Sequence, residues 1–288
     1  MEEAARRVSR LGLRGRGVAG PSPWERRVRP SAGAALLAGI LCLAWSNDGL
    51  SPGRFDHGLF DGLLRSHVAK ELVDYEAFAR APAMPEYLAK LEQARPETLS
   101  EPERLAFWIN VYNAYTIQVI NAFGHGKSIR DIAILGRDGK PVSAWKAPVV
   151  RVGGHTYTLD EVEHDLIRAR FREPRAHFAL VCAAIGCPPL RSEAYVGDRL
   201  ESELDDQARS FLYGRSKGCR VDAANGIVYL SQIFVWYRDD FGANDAAVGR
   251  FIARYLPETP ERRVLMSGRF RLVPIPFDWG LNDLRQAH

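Results

Sequence analysis

The chain has 288 residues, 46% of them hydrophobic, enough for one well-cored domain or two small ones. Its net charge of +4 is concentrated at one end. Residues 1–30 hold eight arginines against Glu2, Glu3 and Glu25, and the remainder carries 31 basic against 32 acidic side chains. That body has no basic run able to track phosphates, which excludes a nucleic-acid partner.

The arginine-rich start leads into an uncharged run over residues 32–45, ending in Ala44-Trp45-Ser46. The run is shorter than the ~20 residues that span a bilayer. A basic region, a short apolar stretch and small residues have the order of a secretory signal, with cleavage after Ser46. The predicted organisation is therefore a signal peptide over residues 1–46 and a single globular domain over 47–288. The predicted location is exported and periplasmic. The alternative is an anchor in the inner membrane through residues 32–45, the one part of the chain expected to touch a membrane. Export would leave Cys182, Cys187 and Cys219 in an oxidising compartment, an odd number, so at least one is free, metal-bound or paired between chains.

From Phe55 to Arg95 the apolar residues Leu59, Leu63, Leu64, Val68 and Leu72 recur at helical spacing. Pro82 and Pro85 interrupt the pattern, and a short second helix follows around Leu91. Ser100 and Glu103 have the spacing of a capping box. The helix behind them, residues 105–120, is apolar on nearly every face and should run through the core. It carries Asn110 and Asn113 on one face. A buried amide without partners costs about 1–3 kcal/mol, so both must bond something definite: loop backbone, or a substrate or catalytic group.

A hairpin is predicted over residues 149–158 around Gly153-Gly154. Thr158 and Glu161 form a second capping box, opening a helix to about residue 170. On that helix His164 follows Asp160 and Glu161 at four and three residues, so either carboxylate could orient the imidazole. The alternative is a solvated acidic first turn with an incidental histidine. Residues 176–182 read as a short strand, 198–214 as a helix, and 220–230 as a hairpin around Asn225-Gly226. Short helices at 233–237 and 245–256 and a strand at 270–273 complete the chain. The fold class is α+β: a helical amino-terminal half with a buried central helix, then a small mixed or antiparallel sheet.

Cys182 ends the predicted strand. His177, five residues earlier, would lie about 16 Å away on the opposite face of a strand. In a helix the two would point roughly 140° apart. They therefore make no local dyad, and His164 becomes the first candidate base for a Cys182 nucleophile. Cys182 and Cys187 could close a disulfide if a turn at Gly186 brings their Cα atoms within about 7 Å. A zinc site from His164, His177, Cys182 and Cys187 lacks the usual paired spacing. No phosphate loop, Gly-x-Ser-x-Gly elbow or His-Glu-x-x-His helix is present, and no cofactor is indicated.

Several motifs occur in a fixed order: Phe107-Trp-Ile-Asn-Val-Tyr-Asn113, Val162-Glu163-His164 with Arg168, Arg175-Ala-His-Phe-Ala-Leu-Val-Cys182, Gly186-Cys-Pro-Pro-Leu190, Ile233-Phe-Val-Trp-Tyr237 with Asp240, and Asp278-Trp279. Together, from about residue 60 to 282, they resemble the domain of unknown function 547 family. The resemblance implies an exported or envelope protein of bacterial type and adds Glu163 and Arg175 to the orienting or substrate-binding candidates. It also implies that a 182–187 disulfide is not obligatory, because plant-type members have serine at the position of Cys187. Cys182 is then the sulfur of interest.

The enzymatic expectation is a thiol-dependent hydrolase or acyltransferase acting on peptide, amide or thioester bonds of a small-molecule, peptide or protein partner. Cys182 would be its nucleophile, His177 or His164 its base, and Asn110 or Asn113 an oxyanion-stabilising amide. The alternatives are a non-catalytic envelope domain that binds protein or lipid, with Cys182 fully buried and no cleft beside it, and a His/Cys metal site.

Overall fold

The computed structural model describes residues 53–124, 126–213 and 217–286. The predicted signal or anchor over residues 1–46 lies outside them. The described residues belong to one compact unit, Asp48–His288. Among them, no helix is long and apolar enough to cross a membrane.

Three short helices open the unit: α1 (Gly58–His67), α2 (Tyr75–Arg80) and α3 (Ala83–Glu92). Between α1 and α2 the chain makes a small hairpin, β1 (Val68–Ala69) and β2 (Leu72–Val73), where the sequence suggested unbroken helix. Its turn requires left-handed backbone at Lys70 and Glu71, with φ of 49° and 72°. No glycine or asparagine marks this turn, which is why the helical spacing ran through it unnoticed.

The organising element is α4 (Glu101–Phe123). Every residue from Leu105 to Ile117 is buried, as its lack of a polar face predicted. The capping box at its start does not form. Ser100 caps nothing with its side chain. Glu103 instead turns inward and accepts from the backbone N–H groups of Phe55 at 3.1 Å and Gly197 at 2.7 Å. A carboxylate only 3% exposed is satisfied by donors 48 and 94 residues away in sequence.

Two hairpins follow: β3 (Ala133–Leu135) with β4 (Pro141–Ser143), and β5 (Val150–Val152) with β6 (His155–Tyr157). The second turns at Gly153 and Gly154, φ 58° and 75°, as the Gly-Gly pair required. The Thr158/Glu161 capping box forms with both reciprocal bonds and starts α5 (Leu159–Glu161). The helix then widens into a π-helical stretch, Val162–Arg168, before α6 (Ala169–Phe171).

The predicted strand over 176–182 is a turn of helix, α7 (Ala176–Ala179), followed by extended chain. Among the described residues no strand pairs with this segment. The Asn113 side chain takes that role, donating to Ala179 O at 2.9 Å and accepting from Val181 N–H at 3.0 Å. An amide side chain presents the same donor and acceptor pair as a backbone peptide group.

The carboxyl-terminal part comprises α8 (Leu200–Tyr213), a three-stranded sheet and four short helices: α9 (Ile233–Trp236), α10 (Arg238–Phe241), α11 (Asp245–Ala253) and α12 (Pro260–Ser267). In the sheet, β7 (Cys219–Asp222) pairs antiparallel with β8 (Ile227–Ser231), and β8 pairs parallel with β9 (Arg271–Ile275). The fold is α+β with a small mixed sheet. Two apolar clusters hold it together, one around α4 and one between the sheet and its helices. Phe178 on α7 belongs to the second, while its neighbours Ala176 and Ala179 belong to the first. This segment therefore sits at the seam between the cores.

Candidate functional site

At that seam lies a cleft of about 420 Å³. Its polar lining comprises Asp160, Glu163, His164 and His177, and Cys182 and Cys187 also line it. Its remaining walls are mostly aromatic. The volume falls within the range of small-molecule sites.

Cys182 and Cys187 form a disulfide, with Cα atoms 6.2 Å apart. Of the two states the sequence left open, the structure holds the disulfide, in which the sulfur carries no thiolate and cannot attack. The five-residue separation is closed by a tight turn in which Ala183 adopts φ 65° and the Cys187 N–H donates to Ala184 O. The Cys182 N–H points at the Cys187 sulfur, 3.0 Å away. The turn is clamped against the tail: Ile185 N–H donates to Gly280 O, Gly186 N–H to Asp278 O, and Asn282 N–H to Ala183 O. Gly186 is required there, since a Cβ would lie 2.8 Å from the Asp278 nitrogen. Cys187 is buried, whereas Cys182 is half-buried at the cleft. The expectation of a fully buried Cys182 with no cleft, attached to the non-catalytic reading, is therefore not met. Cys219 is the free cysteine among the described residues. Burial pushes its thiol up to about 12, so it is inert.

The two histidines are tied together by an ion pair between distant segments. Arg168 binds Asp240 through two nitrogens, at 2.7 and 3.1 Å, and also reaches His164 Nδ1 at 3.0 Å. Asp240 lies 2.6 Å from His177 Nε2. A guanidinium can only donate, so His164 Nδ1 accepts and its ring proton sits on Nε2. A carboxylate only accepts, so His177 Nε2 carries the proton and Nδ1 keeps its lone pair. The chain His164–Arg168–Asp240–His177 thus fixes two imidazoles in opposite tautomers beside one cleft. Burial holds His177 below the ordinary histidine range, against the upward pull of Asp240 and Glu163, which keeps the ring neutral near pH 7. For Asp240, burial works upward but is outweighed by the bonds from Arg168 and His177, and the carboxyl stays below its usual range.

Local structure explains this alignment. In the π-helical stretch the Ala169 N–H bonds His164 O, five residues back, which widens the turn. The orienting partner of His164 is Arg168, not Asp160 or Glu161 as the helical spacing suggested. Glu161 is occupied by its cap and by Arg137. The Tyr237 ring stacks on His177 at 4.0 Å.

The remaining sequence candidates are structural. Asn110 donates to Tyr195 O at 2.8 Å and accepts from Tyr195 N–H at 3.0 Å, in the same manner as Asn113 with Ala179 and Val181. Both amides are spent on backbone, and neither lines the cleft, which corrects their assignment as oxyanion donors. Arg175 pairs with Glu173, Glu201 and Asp205 and fastens α7 to α8, away from the cleft. Among the described residues no group of three or more His, Cys, Asp or Glu side chains could hold a metal ion, so the His164/His177/Cys182/Cys187 set does not assemble as a centre.

Sequence reasoning did not assign roles to Arg168, Tyr237 and Asp240. Arg168 carried a usable signal, being four residues after His164. The partnership of Asp240 with His177 spans 63 residues and has no local signature.

Residues 96–212 match the model of the family described as protein of unknown function, DUF547, and the chain carries a domain of that family. The match covers α4, the π-helical stretch, both histidines and the disulfide; Tyr237, Asp240 and the tail wall of the cleft lie beyond it. No curated protein and no solved structure matches the chain.

Proposed function

We propose that the domain is a hydrolase or acyltransferase acting at a carbonyl centre, with His177 as general base and His164 as proton donor. The observation that carries this reading is the pair of opposite tautomers held by Arg168 and Asp240 beside one cleft. His177 Nδ1 would take a proton from the nucleophile as it adds to the carbonyl carbon. The His164 Nε2–H would hydrogen-bond the developing oxyanion or protonate the leaving group. Asp240 orients one ring and Arg168 the other, so neither tautomer is free to invert.

In the disulfide-bonded form the nucleophile is water. A disulfide is stable in an oxidising compartment, which fits an exported protein. A second reading uses Cys182 itself, after a dithiol has reduced the disulfide to two thiols and become a disulfide in its place. It is favoured by the half-buried position of Cys182 on the cleft. His177 would then deprotonate the thiol, the thiolate would add to the carbonyl and expel the leaving group, protonated by His164, and water would hydrolyse the resulting thioester to the acid and the free thiol.

Hydrolysis of p-nitrophenyl acetate by the full chain tests both. His177→Ala should reduce the rate at least tenfold, and a rate equal to wild type in both His177→Ala and His164→Ala would overturn the proposal. Activity unchanged in the Cys182→Ser/Cys187→Ser double variant identifies water. Activity that appears only with dithiothreitol, and vanishes in Cys182→Ser, identifies the thiol.

A further inference from the structure

The lining of the cleft has an uneven charge. It holds two carboxylates, Asp160 and Glu163, and neither lysine nor arginine. Glu163 is 7% exposed and Asp160 half-buried. Burial raises the Asp160 carboxyl above its ordinary value, a sign that its negative charge is incompletely solvated; His164 and Lys146 pull it back only in part. The rest of the lining includes a contiguous set of rings. Trp279 sits 4.6 Å from Phe277, 5.7 Å from Trp236 and 6.3 Å from Trp145. Two rings of the lining already face cations: the Arg130 guanidinium lies 4.8 Å over Trp279 and that of Arg168 lies 5.0 Å over Tyr237.

An anionic ligand entering this cleft would meet two carboxylates in a poorly solvated space. A purely apolar one would strip water from them without return. A ligand with an organic cation on a hydrocarbon stem satisfies both parts of the lining, with charge against the carboxylates and stem against the rings. Carboxylates reward N–H donors as well as charge, so a primary ammonium fits better than a quaternary one.

We propose that this cleft binds a primary alkylammonium group of the lysine side-chain type, carried on the acyl compound to be processed. The inference rests on the reading that the cleft is the functional site, but it does not depend on which group is the nucleophile. The probes are Nα-acetyl-lysinamide, its neutral counterpart Nα-acetyl-norleucinamide, and the trimethylated lysine derivative. Binding to the disulfide-bonded full chain is followed by tryptophan fluorescence and calorimetry. The expected result is roughly tenfold tighter binding of the lysine compound than of the norleucine one, as a desolvated cation contact allows. That preference should disappear in Asp160→Asn with Glu163→Gln and persist in Cys182→Ser/Cys187→Ser. Equal affinity for lysine and norleucine, tighter binding of the trimethylated compound, or no binding of any of the three would overturn the inference. Because binding is read without turnover, an ammonium preference in a protein inert toward p-nitrophenyl acetate would sink the hydrolase reading alone. Hydrolysis without that preference would sink only this one.

Discussion

Lowering the pH from 7 to 5 should weaken the fold through His57, a residue remote in sequence from the cleft histidines. His57 is buried against Phe55, Tyr87 and Phe107, with Nδ1 2.6 Å from the Tyr87 hydroxyl. One ring nitrogen thus shares a bond with this hydroxyl, and the other, Nε2, has no partner. A second proton would create a charge away from water and leave the Nε2–H without an acceptor. Burial therefore holds His57 down to about 3 from an ordinary 6.5, and Asp56 and Asp61 pull it upward only weakly. The unfolded chain binds the proton first, so this contribution is complete above the unfolded value. It erodes as pH falls below about 6.5, and the loss continues until about 3. With 1.36 kcal/mol per pH unit, the loss between pH 7 and pH 5 integrates to about 2 kcal/mol. The assay is urea unfolding of wild type and His57→Gln at both pH values. The wild type should lose about 2 kcal/mol more than the variant over that interval, a paired difference in which other titrating groups, His177 among them, cancel. Equal losses in the two proteins would refute the burial argument.

Two further predictions concern the supports of the cleft. Asn113→Ala orphans Ala179 O and Val181 N–H, both in the buried segment that leads to Cys182, and should cost about 3 kcal/mol in chemical unfolding. A loss below 1 kcal/mol would mean that water replaces the amide. Gly186→Ala drives a Cβ to within 2.8 Å of the Asp278 backbone and should destabilise by about 1–3 kcal/mol while loosening the tail from the disulfide turn. Faster amide exchange at Ile185 and Gly186 would report that loosening, and unchanged exchange would count against it.

The parts legible from sequence are those set by neighbours along the chain. The absence of a polar face over residues 105–117 was enough to bury α4, because no orientation of that helix leaves it a solvated side. Thr158 with Glu161 fixed a helix start, and Gly153-Gly154 fixed a turn, each through bonds or dihedrals within four residues. Asn110 and Asn113 were bound to have partners once buried, though not which partners. Tertiary structure decided the rest. Glu103 abandoned its cap for donors supplied by distant backbone, and Asn113 replaced a strand neighbour, which left residues 176–182 without the sheet their apolar pattern suggested. His177 and His164 share a cleft only because Arg168 meets Asp240 across 72 residues. The tautomer of each ring, and so which nitrogen can accept a proton, follows from that contact. Periodicity and capping act over single turns, whereas the charge pair that aligns this site is made only when two separate cores close on one another.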